Sequence, residues 1–174
     1  MINELIPSGV SNDHLRAIGL VAVKWSRLEG FVYRIAYLSQ SAKNKQFRAI
    51  TAHMDLPRQL DVMCSLVGLI APDTLEHQAA HAAIRKWAKY VKEDLSAKRN
   101  ELIHLWWRPG EGDEAFIEAV KHRARGIYKA EPLRYTVPEI DAIATEIDQA
   151  CAQLVELVEP IWQRMTELSK DRQS

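Results

Sequence analysis

From Thr136 to Leu168 the chain carries one apolar stripe. Ile140, Ile143, Ile147, Cys151, Leu154, Val158, Ile161, Met165 and Leu168 recur every three or four residues. That is the period of an α-helix and not of a strand. Thr136 followed by Glu139 makes a capping box at its start, and Pro138 is tolerated in a first turn. A one-sided helix of this length cannot shelter its stripe alone, so other helices must cover it.

The rest of the chain supplies them. Between Ser11 and Ser39, Leu15, Ile18, Ala22, Trp25, Leu28, Val32 and Ile35 fall at helical spacing, with Ser11 or Asn12 as the cap. A second helical region spans roughly Gln46 to Ile70. It is interrupted near Asp55-Leu56-Pro57, where the proline suits a new first turn. Ala71-Pro72-Asp73 reads as a turn, and Asp73 or Thr74 can cap a third helix. That helix runs to about His104 or Trp106 and is ended by Arg108-Pro109-Gly110. From Gly110 to Tyr135 the helical period is lost, and Ala115 to His122 with Arg125 to Tyr135 predict a short hairpin around Arg123-Ala124. The expectation is an all-α fold: an up-and-down bundle of four to five helices, a single domain over residues 1–174. A small hairpin or loop insertion at about 110–135 precedes the last helix.

Composition sets limits on function. A chain of 174 residues can bury one full core and is short for two. Its 23 basic residues balance its 23 acidic ones, so a nucleic-acid partner would have to meet a local patch. The longest apolar run, Val62 to Ala71, falls far below the roughly 20 residues that span a bilayer, so no membrane association is expected. Met1-Ile2-Asn3-Glu4 lacks the pattern of a signal peptide, which makes a cytoplasmic location the expectation. Cys64 and Cys151 sit among apolar residues and read as reduced core thiols. His77 and His81 have the i, i+4 spacing of a zinc-protease helix. Gln78 stands where the glutamate base would be, and no third ligand is identifiable. No metal and no cofactor are expected.

The most informative segment is Lys98-Arg99-Asn100-Glu101-Leu102-Ile103-His104-Leu105-Trp106-Trp107. On a wheel at about 100° per residue from Arg85, the residues Ile84, Trp87, Val91, Leu95 and Leu102 mark the core side. Arg85, Lys89, Lys92 and Arg99 form a basic stripe beside it, placed to hold an RNA backbone. Asn100 and His104 lie almost opposite the core, with Ile103 outward between them. Histidine can take the proton of a 2′-hydroxyl or protonate a leaving oxygen near neutral pH. Arginine stays charged and can grip two phosphoryl oxygens. Asn100, one turn before His104, can orient the imidazole. Arg99 and His104 are about 140° apart on the wheel, a splayed pair that two copies across a twofold axis would close into one groove.

The bare spacing is not specific, since Arg48 and His53 have it too. The polar residue after Arg99 and the adjoining basic stripe set the second pair apart. Lys121 to Lys129 is a further basic stretch with an aromatic, able to contact phosphates or to pair with Glu111, Asp113, Glu114 and Glu118. Trp106-Trp107 can stack on a base or cap the core.

Arg99-Asn100-Glu101-Leu102-Ile103-His104, late in the helix before the last one, resembles the HEPN superfamily, whose hallmark is arginine, a polar residue, a few variable positions and histidine. The resemblance implies a helical bundle that dimerises to form a composite site, and metal-independent endoribonuclease activity. Toxin or phage-defence roles are common among such proteins, so an antitoxin partner is a further expectation. It implies that Arg99 and His104 are catalytic, with Asn100 in support, and that RNA and a second copy are the partners. The alternative is a catalytically inactive module of the same build that uses the motif face for protein or nucleotide binding.

Overall fold

The computed structural model describes residues 9–39, 44–70, 74–110, 115–123 and 129–170. Its elements are mainly helical, with a small antiparallel sheet before the last helix. In order they are α1 (Asn12–Ser39), α2 (Asn44–Thr51), α3 (Leu56–Leu69) and α4 (Leu75–Tyr90). A π-helical segment (Val91–Leu95) continues α4 directly into α5 (Ser96–His104). Strands β1 (Arg108–Pro109), β2 (Phe116–Arg123) and β3 (Lys129–Thr136) follow, and α6 (Val137–Lys170) completes the described chain.

The helix starts are set by side chains. Ser11 Oγ accepts from the His14 amide at 3.4 Å at the head of α1. Asp55 caps α3 by accepting from Arg58 N, and Thr74 caps α4 by accepting from His77 N. The other cap candidate for α4, Asp73, lies outside the described residues. At α6 the Glu139 carboxylate accepts from both the amide (2.7 Å) and the hydroxyl (2.9 Å) of Thr136.

The chain divides into two compact units, Met1–Trp25 with Ser96–Ile147 and Ser26–Leu95 with Asp148–Ser174. In the first, Val21, Trp25, Leu102, Ile117, Ile140 and Ile147 are among the buried side chains. In the second, Leu28, Leu60, Met63, Ile84, Trp87 and Leu154 are. There α3 and α4 form an antiparallel pair, tied where His81 Nε2 meets Cys64 O (3.2 Å) and where Lys92 meets Asp61. Trp87 donates to Ala150 O of α6 at 3.1 Å.

Three expectations need correction. At the start of α1, Leu15 is 55% exposed, while His14 (2%), Ala17 and Val21 are buried, so the early stripe runs one residue ahead of the expected one. Both phases converge on Trp25, and a histidine and an alanine weigh less in an apolar count than Leu15 and Ile18. His14 satisfies Nδ1 on Ser11 Oγ at 2.8 Å, whereas Nε2 is buried with no partner among the described residues. The insertion is three strands in the order β1-β2-β3, not a two-strand hairpin. Its register runs from Phe116↔Thr136 to Arg123↔Lys129, so Arg123 is part of β2, and Ala124 lies outside the described residues. Finally, the π-helical segment takes about one residue more per turn than an α-helix, so a wheel carried through it loses phase.

Glu139 is held below the usual carboxylate range, first by the Thr136 amide and then by its hydroxyl. A lowered folded value means this cap is fully formed above the ordinary carboxylate pKa and is lost as pH falls through the lowered one. Glu139→Ala should therefore cost about 1 kcal/mol of stability at pH 7. Unfolding monitored by circular dichroism should show the difference from wild type shrinking toward pH 3.

Candidate functional site

The motif residues sit on α5, in the unit that also contains the sheet. The guanidinium of Arg99 lies over the ring of Trp25, 5.6 Å from its centroid, with Nε buried and unpartnered among the described residues. Its Nη1 donates to Asn100 Oδ1 at 2.9 Å and reaches His104 Nε2 at 3.2 Å. A guanidinium can only donate, so in this contact Nε2 is the acceptor and the ring N–H lies on Nδ1. His104 and Asn100 are exposed, and Arg99 is half-buried.

Two expectations change here. Arg99 and His104 are not splayed apart, because a wheel angle describes Cβ directions and the long arginine side chain curls back to the imidazole. Asn100 orients the guanidinium and not the histidine. Arg99 is thus fixed from two sides, by Trp25 beneath and by Asn100 and His104 above, which leaves the two N–H groups of Nη2 for a ligand. Ile103 is half-buried and not fully outward.

The residue that sequence reasoning missed is Glu101. Its carboxylate pairs with Lys121 of β2 and accepts from the Tyr135 hydroxyl of β3 at 3.2 Å. Burial, and then the charge of Glu101, push the Tyr135 hydroxyl up to about 12, so it stays a donor at any physiological pH. Trp107 adds a second tie: its Nε1 donates to Leu102 O at 2.8 Å, and its ring meets Tyr135 edge-on with centroids 5.5 Å apart. Lys98 pairs with Glu146 of α6 at 2.6 Å. The motif helix is therefore held by the sheet on one side and by α6 on another. The sheet itself is stiffened by Glu118, which lies between Arg108 (2.9 Å) and Arg134 (3.5 Å) on the strands to either side.

These pairs also bear on the basic-arm reading. Lys121 is committed to Glu101, and Glu118 pairs with Arg108 and Arg134. The side chains of residues 122–129 and residues 111–114 lie outside the described residues. Of the two tryptophans, Trp107 is buried as a core cap and Trp106 is 70% exposed.

No family model, curated protein or solved structure matches this chain. The functional reading therefore stands on the geometry of the site itself.

Arg85, Lys89 and Lys92 fall in the other unit, along a groove between α3 and α4. Lys92 is held by both oxygens of Asp61 (3.0 and 2.8 Å), which raises its ammonium above the usual range. Lys89 lies 3.9 Å from Glu93. Both cysteines are free thiols. Cys151 is buried and Cys64 half-buried, and burial pushes Cys64 up to about 11, which makes it a poor nucleophile at neutral pH. Among the described residues no three His, Cys, Asp or Glu side chains converge as metal ligands. No described helix is long and apolar enough to cross a membrane.

Nitrogen-15 NMR of the imidazoles checks the central contact. His104 should show the Nδ1–H tautomer at pH 8, and Arg99→Ala, which removes the only donor described at Nε2, should release it.

Proposed function

We propose that the chain is a HEPN-like, metal-independent endoribonuclease acting in the cytoplasm. The observation that carries this reading is the Arg99–His104 contact: an exposed imidazole with its Nε2 held 3.2 Å from a permanent cation. In the reaction, Nε2 of His104 takes the proton of an RNA 2′-hydroxyl. The 2′-oxygen attacks the adjacent phosphorus, and the bond to the 5′-oxygen breaks. A 2′,3′-cyclic phosphate forms on one fragment, and the departing 5′-oxygen leaves as a hydroxyl. Arg99 swings its guanidinium toward the phosphoryl oxygens and stabilises the extra negative charge of the transition state.

A single imidazole that has just accepted a proton cannot at once protonate the leaving group on the other side of phosphorus. A second copy of the chain solves this: of two motif helices facing across a twofold axis, one presents His104 as the neutral base and the other presents it as the imidazolium that protonates the leaving 5′-oxygen. The reading is thus of a homodimer, its helices in an up-and-down bundle, with one composite groove. Arg85 and Lys89 would add sequence-independent contacts to the RNA backbone, while Lys92 is engaged by Asp61. Such an enzyme fits a toxin or phage-defence effector with an antitoxin partner.

The test is cleavage of a mixed RNA in EDTA. His104→Ala should lower the rate by about 10²- to 10⁴-fold, the usual worth of a general base. Arg99→Ala should fall in the same range through lost charge stabilisation, about 10²- to 10³-fold. Asn100→Ala, which removes only the tie to Arg99, should fall less. Equal cleavage by wild type and His104→Ala would refute the assignment. Silence in all forms, with folded dimers, would favour a motif face used for binding.

A further inference from the structure

The groove between α3 and α4 encloses about 730 Å³, within the range of ligand-binding clefts. Its walls bring together four cations, Arg85, Lys86, Lys89 and Lys92, against two carboxylates, Asp61 and Glu93. That excess is local, because the formal charges of the whole chain cancel. Lys92 is spent on Asp61, and Lys89 only grazes Glu93 at 3.9 Å. Arg85 and Lys86 are exposed and have no carboxylate within ion-pair distance among the described residues. Two cations are therefore uncompensated and a third is loosely held, all on one wall of a concave surface. Cations crowded in this way repel one another, and the arrangement is relieved when an anion enters.

We propose that this groove binds phosphoryl groups set in a row, the chemistry shared by a single-stranded RNA backbone and a free oligophosphate chain. The row is set by the helix: Arg85 and Lys89 are one turn apart, about 6 Å along the axis, with Lys86 beside Arg85. A single carboxylate or a small inorganic anion would engage one of these groups, whereas a run of phosphates engages them all. Arg85 supplies the planar fork that grips two phosphoryl oxygens, and the lysines act as point charges.

The opposite wall carries the Asp61 carboxylate, which Lys92 already engages. Its thiol, Cys64, stays neutral, since burial and the nearby Asp61 keep it protonated. The imidazole of His81 is laid against α3, with Nε2 at 3.2 Å from Cys64 O. That is possible because position 68 is glycine: a Cβ there would come within 3.0 Å of the ring. The groove floor is otherwise Leu60 and Ala88, which offer no charge. The site uses Lys86 and His81, which the motif chemistry does not involve. It stands on the groove alone, whether or not the motif cleaves RNA.

The test is a calorimetric titration of the full-length protein with two probes used separately: inorganic tripolyphosphate, and a 2′-O-methyl RNA octamer that cannot be cleaved. The exposed triple variant Arg85→Gln/Lys86→Gln/Lys89→Gln is compared with wild type and with His104→Ala. The triple variant should bind at least about tenfold more weakly and lower the salt slope by about one per cation removed. His104→Ala should bind as wild type does. Tripolyphosphate binding would identify a free oligophosphate as sufficient, and binding of the octamer alone would identify the RNA strand. The proposal fails if neither probe binds, if the triple variant binds as wild type does, or if His104→Ala weakens binding as much as the triple variant.

Discussion

The joint on which the candidate site depends is the carboxylate of Glu101. It points from the middle of the motif into the sheet, where Lys121 and the Tyr135 hydroxyl hold it. A short helix that emerges from a π-helical turn has little intrinsic rigidity. The Glu101 clasp and the Trp107 bond to Leu102 O fix its last turns, so the exposed face presenting Arg99, Asn100 and His104 is set from behind. The insertion thereby braces the motif helix. The Tyr135 hydroxyl, kept protonated, holds its end of the clasp across the physiological range.

With the helix held, the chemistry of the exposed face follows from one shared nitrogen. Arg99 Nη1 serves both Asn100 Oδ1 and His104 Nε2, so the amide governs the guanidinium and the guanidinium governs the tautomer of the imidazole. Trp25 supports the same guanidinium from below. The pair is assembled within one chain; in the proposed reaction a second copy would supply the acid. The basic groove beside α4 belongs to the other unit and has its own charge logic.

Where burial dominates, the sequence was legible. The stripe on α6 is buried at Ile140, Ile143, Ile147, Cys151, Leu154, Val158, Ile161 and Met165, and the core side of the third helix at Ile84, Trp87, Val91, Leu95 and Leu102. Caps at Thr74 and Glu139 also follow from local chemistry that a few residues specify. What escaped were features decided by partners distant in sequence. Glu101 reads as one more solvent-facing glutamate until β2 and β3 are placed against it. The two-residue strand β1 has no period to detect, and Pro109 fits only an edge. A π-helical turn leaves no signature in an apolar count because Val91 and Leu95 keep their i, i+4 spacing through it. The contact between Arg99 and His104 escaped for a different reason: a helical wheel carries no side-chain length.

In the proposed reaction this pair cleaves RNA by attack of the 2′-hydroxyl without a metal. Its most direct test is the chemistry of the ends left on RNA incubated with the protein in EDTA. Attack by the 2′-hydroxyl leaves 2′,3′-cyclic phosphate on one fragment and a 5′-hydroxyl on the other, and these are the ends expected. Fragments bearing 3′-hydroxyl and 5′-phosphate ends, or intact RNA until a divalent metal is restored, would contradict it.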